Sequence, residues 1–458
     1  MSAAAADGIR NQLPDDTLLV FLSDAHIGGT TGSDIFESAP ELTLLLEDLD
    51  RHDGPVELVL AGDFLDLLRI EDADSNGDRL AATITRPEYR GLFGALRSFA
   101  QGPGHRVAYV VGNHDAEVWW NPRVQRSLIE AGLVDVFGLS YAASFRSLPE
   151  QLVYCEHGNQ FDPANAVVDY ANPLDTPVGA HVLSEMVRPI GSGAARPGGL
   201  DLREVRYVFP VAAHPGPAEW IAGRLFYQFL GQLLRWLLAL LALLLAVFVA
   251  YWGLAVALGR AGGASQVLRS LLVEATYSFV VLVFALVVVF LVSRRTTKDV
   301  VTTLASRFPW LAPETEQVRE EAAIRQLLRD DRAPPMAGTA SRLEIAVFVS
   351  GHTHAPAISE LARADGSITV IANTGCWLRQ LRAVDAHLGA PPVFVPAFVH
   401  SHLRVRSTKD GVTVELWDQP KPAERRLSWL ERLAIAGRMP RQPTVVARPR
   451  LVARRTVG

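Results

Sequence analysis

The residues of this chain best suited to chemistry are histidine, aspartate and asparagine, and they recur in one setting. Each group follows a short apolar run and, in most cases, a glycine. Residues 17–23 (TLLVFLS) end in Asp24-Ala25-His26, and residues 56–61 (VELVLA) lead to Gly62-Asp63-Phe64-Leu65-Asp66. Residues 106–111 (RVAYVV) lead to Gly112-Asn113-His114-Asp115, and residues 151–156 (QLVYCE) to His157-Gly158. Residues 343–350 (LEIAVFVS) lead to Gly351-His352-Thr353-His354. Imidazole, carboxylate and amide oxygen together form a mixed N/O donor set that suits Mn, Fe or Zn better than Ca. Asp24 and His26, two apart on an extended backbone, point the same way and can grip one cation. Two histidines two apart at a strand tip can reach two different ions.

Each group has a plainer reading. Asp63 could be a helix N-cap before Phe64-Leu65-Asp66, and Asp66 reads as structural or as support for a ligand. A lone His157 would usually be a satisfied core histidine, and D-x-H alone fits a surface turn. The repetition of one design at five strand ends outweighs these readings.

The elements that must position these groups are the apolar runs, whose length and alternation predict buried strands. Residues 41–50 and 86–100 read as helices packed outside a sheet, and residues 71–79 as a loop. Residues 367–372 form a further strand ahead of Asn373-Thr374-Gly375, and 399–407 with 412–417 form a β-hairpin. Trp119 and Trp120 read as packing residues or as the lining of a pocket. Between residues 163 and 340 the rhythm is lost. That region holds the Pro/Gly-rich stretch 189–199, a charged helical segment at 313–331, and Met186, Val187 and Trp220, which suit a lid or a membrane-proximal surface.

The same region contains two long apolar runs, at about 233–257 and 275–293, each with roughly the 18–25 residues that span a bilayer. Trp236, Tyr251 and Trp252 lie near the ends of the first, where interfacial aromatics belong. The linker 259–270 is short and glycine-rich, so the runs predict a helical hairpin. Its flanks carry Arg224, Arg235, Arg294, Arg295 and Lys298, against Arg260 and Arg269 in the connection. This bias predicts both flanks, and with them both termini, in the cytoplasm. The N-terminus carries no secretory signal pattern. A net charge of −5 over 458 residues gives no pointer to nucleic acid. Cys155 and Cys376 read as buried free thiols, with a bridge between them left open. The Arg-rich tail after Lys421 is either solvated or drawn to anionic lipid.

With Asp24-x-His26, Gly62-Asp63, Gly112-Asn113-His114-Asp115, His157-Gly158 and Gly351-His352-x-His354 in this order, the chain resembles the calcineurin-like metallophosphoesterases. The resemblance covers roughly residues 15–162 and 342–418. It implies an α/β fold, a four-layer αββα sandwich of two mixed sheets, here interrupted by an insertion at 163–341 and followed by a basic tail at 419–458. It implies two divalent ions, one held by Asp24, His26, Asp63 and His354, the other by Asp63, Asn113, His157 and His352. Asp63 would bridge them, because two cations about 3.5–4 Å apart need a shared anion. His114, not itself a ligand, would protonate the leaving oxygen or stabilise the transition state, and Asp115 would orient it. Water activated by the metals would attack phosphorus in line.

His157-Gly158-Asn159-Gln160-Phe161-Asp162 and Asn373-Thr374-Gly375 are most similar to the UDP-2,3-diacylglucosamine pyrophosphatase branch, which acts on a lipid-linked pyrophosphate. That branch typically has Arg where this chain has His114, and it lacks a long hairpin. The leading expectation is a membrane-anchored phosphohydrolase with a phosphorylated, lipid-linked substrate. The alternatives are a nucleotide or phosphoprotein phosphatase with an anchor, and a non-catalytic membrane scaffold.

Overall fold

The computed structural model describes residues 8–28, 34–70, 79–182, 217–260, 263–307, 316–337 and 345–458, with Glu204 and Tyr207. Residues 71–78 of the loop expected at 71–79, Met186, Val187, the stretch 189–199 and the first residues of the helical segment at 313–331 lie outside these; Arg79 instead begins a short helix, Arg79–Ile84.

Two mixed sheets carry the fold. The first runs β1 (Ile9–Leu13), β6 (Ser140–Phe145), β7 (Leu148–Glu156), β8 (Ile345–Ser350), β10 (Ile368–Asn373) and β9 (Ala357–Ala362). The second runs β14 (Arg450–Val457), β13 (Gly411–Asp418), β12 (Val393–Thr408), β2 (Leu18–Leu22), β3 (Val56–Ala61), β4 (Arg106–Val110) and β5 (Val136–Gly138), with β11 (Trp377–Val384) also on β12. Strands β2 to β5 are parallel, as are β7, β8 and β10, while β12 and β13 pair antiparallel.

The alternation of side chains along each strand builds the layers. Leu19, Phe21, Val59, Ala61, Ala108 and Val110 of the second sheet meet Tyr141, Phe145, Val153, Val347 and Val370 of the first. The opposite residues, Leu18, Val20, Leu58, Leu60 and Tyr109, pack on Leu42, Leu45 and Leu49 of the helix Ala39–Asp50 and on Phe93, Leu96 and Phe99 of Arg90–Gln101. On the far face of the first sheet, Tyr154 and Phe348 pack on Ile324, Leu327 and Leu328 of the helix Glu316–Arg329. Helix, sheet, sheet and helix form the four layers expected. Strands covered on both faces read as continuous apolar runs, which is why β2 and β3 are so nearly free of polar residues.

Two helices, Pro217–Ala257 and Ala264–Arg307, contain segments long and apolar enough to cross a membrane, Glu219–Ala257 and Ser265–Thr303. Each helix is longer than the apolar run inside it. The extra turns of the first, before residue 233, are packed on the sandwich. Phe226 and Tyr227 are buried with Val384, Val393, Val395, Leu427 and Ile435, and the Tyr227 hydroxyl donates to the Pro391 carbonyl at 2.6 Å. Burying each of these two rings contributes on the order of 1.5–3 kcal/mol. Trp220, one of the residues left between a lid and a membrane-proximal surface, is fully buried here.

Three differences from the sequence reading stand out. Ile9–Leu13 forms an edge strand parallel to β6, although IRNQL is mostly polar. The hairpin strand β12 begins six residues before the expected 399. The basic tail is partly folded: Trp429–Ala434 is a helix and Arg450–Val457 is a strand on β13. Arg454, Arg450 and Arg455 pair there with Glu415, Asp418 and Glu360. Arginines on an edge strand also guard it against further pairing. Cys155 and Cys376 are free and buried.

Candidate metal centre

The parallel strands β2, β3 and β4 of one sheet, and β7 and β8 of the other, all end at the same side of the sandwich. Open α/β sheets place ligands outside the carboxyl ends of such strands. Here the chain turns sharply after each strand. Asp24, His26, Asp63, His352 and His354 have φ of 53°, 50°, 50°, 63° and 56°. Non-glycine residues rarely adopt this left-handed conformation, and each instance costs about 1–3 kcal/mol. The aim of Asp24 and His26 therefore comes from these turns, not from the extended alternation expected between them. Three glycines supply room. A Cβ at Gly62 would run into the His157 ring, one at Gly112 into Asp63, and one at Gly351 into Asp24 and Ser23.

The side chains converge in three overlapping groups: Asp24, His26 and His354; Asp63, His157 and His352; and His26, Asp63 and His114. Within each, the potential ligand atoms lie within 4.8 Å of one another. Asp24 is fixed through Oδ2, which accepts from the Ser23 hydroxyl and from the His352 N–H at 3.0 Å. Its Oδ1 has no hydrogen bond and lies 3.1 Å from His354 Nε2. Asp63 accepts the His114 N–H through Oδ1 at 2.8 Å. Its Oδ2 stands 3.2 Å from His157 Nε2 and 3.8 Å from His26 Nε2, between the first two groups. His157 Nδ1 donates to the Ala61 carbonyl at 3.0 Å, which leaves Nε2 as the lone-pair nitrogen, and that atom is buried without a hydrogen bond. Asn113 Oδ1 is likewise buried and without one. Such orphaned acceptors normally cost folding energy. Their convergence with two carboxylates fits divalent cations, whose binding would satisfy them.

The electrostatics agree. Burial resists charge on His26, but contact with Asp24 and Asp66 and the charge of Asp63 outweigh it and push the imidazole up to about 10. His157 is also pushed up to about 10, because the Asp63 and Asp24 charges overcome its burial. Burial would raise Asp24 and Asp63, yet the surrounding imidazoles hold both carboxyls below their usual range. A cluster this dense in buried negative charge demands positive charge, and protons and metal ions compete to supply it.

His114 differs from its neighbours. It is about 19% exposed and faces a cavity. Its Nδ1 lies 3.1 Å from Asp66 Oδ1, while Asp66 Oδ2 lies 3.3 Å from His26 Nδ1 and accepts from Arg69 Nε at 2.8 Å. The expectation that Asp115 orients His114 is corrected here. Asp115 accepts from Tyr109 Oη and from the Gly112 N–H, both at 2.6 Å, and so pins the turn from beneath. Burial and the Asp63 charge push its carboxyl up to about 7. Asp66 stands on the ring instead.

Further support comes from residues that the sequence reading passed over. Asp162 Oδ2 lies 3.3 Å from His352 Nε2. Gln380 donates to the His354 carbonyl at 2.9 Å, and Asn373 donates to the Gly351 carbonyl at 2.6 Å and to Thr353 Oγ1 at 3.0 Å. Only Asn373 and Asp162 carried a signal, as parts of the motifs already quoted. Trp120 lines the cavity beside His114, and Trp119 packs against the helix-side core.

No curated protein matches the chain by sequence. Residues 18–193 match the family model described as calcineurin-like phosphoesterase. The match ends before β8, yet the structure brings His352 and His354 to the same cluster as the matched residues. The sheet sandwich, the converged donors and this match together make residues 18–193 similar to the calcineurin-like phosphoesterases, a family of metal-dependent phosphoester hydrolases.

Proposed function

We propose that this chain is a membrane-anchored phosphohydrolase of two divalent ions, acting on a phosphate or pyrophosphate linked to an apolar, lipid-like group. Asp24, His26, Asp63 and His354 would hold one ion, and Asp63, Asn113, His157 and His352 the other. Ions bound there would polarise the phosphoryl oxygens and make a nucleophilic water available near neutral pH. The remaining work falls to the chain. His114, whose Nδ1 lies 3.1 Å from Asp66 Oδ1, lines the cavity and donates a proton to the leaving oxygen. Asp115 and the turn glycines keep Asn113 and Asp63 in place.

The observation that carries the substrate class is the cavity itself. It measures about 470 Å³, opens on Asn113 and His114, and sets the apolar side chains of Leu67, Ile70, Trp120, Val167 and Ala180 beside the polar Glu117, Asn172, Asp175 and Thr176. This size suits a small-molecule site. Among the described residues that line it there is no lysine or arginine, and its carboxylates, Glu117 and Asp175, are already hydrogen-bonded to Asn121 and to the Val168 N–H. Such walls favour an apolar group beside the scissile phosphate over a further anionic one. The two long apolar helices support delivery of that substrate from a bilayer, with the catalytic domain and both flanks on the cytoplasmic side.

The test compares a lipid phosphoester in mixed micelles with a small aryl phosphate, using the full chain loaded with Mn²⁺. Ala180→Trp fills the cavity. It should raise KM for the lipid substrate by about tenfold or more, with little change for the aryl phosphate. Faster cleavage of soluble nucleotides, indifferent to Ala180→Trp, would defeat the lipid reading.

A further inference from the structure

We propose that the short helix Trp429–Ala434 and the turn His387–Gly389 form an interfacial foot that lies in the headgroup layer of an anionic bilayer. This rests on the membrane-anchor reading above. Ser428 caps the helix in a reciprocal box with Glu431, so its orientation is fixed. Leu430, Ala434 and Ile435 turn inward onto Phe226, Tyr227 and Val395. Glu431 pairs with Arg224 of the first long helix at 3.2 Å. Trp429 and Leu433, one helical turn apart, face outward and are 52% and 62% exposed. Leu388, at the tip of the neighbouring turn, is 81% exposed and sits at φ 58°, an uncommon conformation for leucine. The two pieces form one unit. His387 Nε2 lies 2.8 Å from the Ala436 carbonyl, and Arg438 donates to the Asp385 and Ala386 carbonyls.

The position of the unit says what covers these apolar residues. Leu430 is the side chain nearest to Gly231, two residues before the apolar run of the first long helix begins at Leu233. A Cβ at Gly389 would meet the guanidinium of Arg294, two residues after the apolar run of the second helix ends at Val292. Phe290 of that helix packs edge-on against Phe226 in the same cluster. The foot is thus level with the point where both helices would enter the bilayer. Arg432 and Arg438 belong to the foot, Arg294 meets its turn at Gly389, and Arg235 and Arg295 are close by in sequence on the two helices; a leaflet of anionic lipid complements them. An amphipathic segment of this kind buries its apolar face about 5–10 Å into the headgroup–acyl boundary. Helices and foot together would hold the sandwich in one orientation on the membrane.

The test uses the full chain in nanodiscs of phosphatidylcholine and phosphatidylglycerol, with an environment-sensitive fluorophore on single introduced cysteines. Cys155 and Cys376 are buried, and the unsubstituted chain controls for their labelling. The positions are Leu388→Cys, Leu433→Cys and, as a report on the anchor, Phe284→Cys, an exposed apolar site in the second long helix. The expected result is blue-shifted emission at all three. Lipids brominated near the headgroup should quench 388 and 433, and Arg432→Glu with Arg438→Glu should relieve that quenching without changing position 284. Apolar emission at 284 with aqueous emission at 388 and 433 overturns the foot and leaves the anchor standing. Aqueous emission at 284 overturns the anchor, and the foot with it.

Discussion

Asp66→Asn isolates the part of the site that the sequence misassigned. The carboxylate lies 3.1 Å from His114 Nδ1, and at an effective dielectric of about 20 a full charge pair at that separation is worth about 5 kcal/mol. Arg69 stands 2.8 Å from the same carboxylate and His114 is partly exposed, so we take roughly half. That amounts to about 2.7 kcal/mol, or a hundredfold in kcat. The assay is steady-state hydrolysis of an aryl phosphodiester with bound metal measured in parallel, because Asp66 also touches His26 and its loss could reach the metals indirectly. The double variant with His114→Ala should be no slower than His114→Ala alone, since the two residues act as a unit. Asp115→Asn should stay within a fewfold of the unsubstituted protein once the folded fraction is matched. A hundredfold loss in Asp115→Asn with little loss in Asp66→Asn would refute the assignment, as would strictly additive effects of Asp66 and His114.

Other outcomes rest on the packing around the cluster. Gly62→Ala should abolish metal binding or folding, because Gly62 has φ 88° and a Cβ there meets the His157 ring; two bound ions in a folded Gly62→Ala protein would contradict this. His114→Ala should keep the metals and lose about 10²–10⁴ in rate, as expected of a missing proton donor; metal loss would mean that it is a ligand. His400 should subtract stability in mild acid. Burial pushes His400 down to about 3, and its ring stacks on Trp377 at 5.0 Å. The unfolded chain therefore binds a proton below about pH 6.5 that the folded chain refuses. The contribution of this group is complete above pH 6.5 and declines towards pH 3, by at most about 1.4 kcal/mol per pH unit. His402 is held down by burial in the same direction. Urea melts at pH 7 and pH 5 should show a smaller loss in His400→Gln, and an unchanged loss would exclude this histidine.

The strands that carry the site were legible because both their faces are buried. LLVFL and VELVLA can only be core, and the polar residues just past their ends are then conspicuous. Edge strands leave no such mark. IRNQL and RLVARRTV are paired on one side and half in water, so their sequences read as loop or tail. The site was legible as a set of donors but not as a set of partners. His114 and Asp115 are adjacent in sequence, which suggested that they pair, yet the turn after Gly112 sends Asp115 beneath the strand and His114 over Asp66. Contacts such as Gln380 to the His354 carbonyl, 26 residues apart, depend on the sheet register and left no local trace. The helical hairpin was evident from composition, while the docking of its first turns through Phe226 and Tyr227 was not, because their partners, Val384, Val393, Val395 and Ile435, lie more than 150 residues away in sequence.

The account stands on Asp63 holding two groups of ligands together, and metal stoichiometry tests that most directly. The full chain in detergent is stripped with chelator, reloaded with Mn²⁺, separated from free ion and measured by elemental analysis beside Asp63→Asn. The account predicts two ions per unsubstituted chain and weakened binding of both in Asp63→Asn. One ion or none in an active unsubstituted protein, or two tightly held ions in Asp63→Asn, would contradict it.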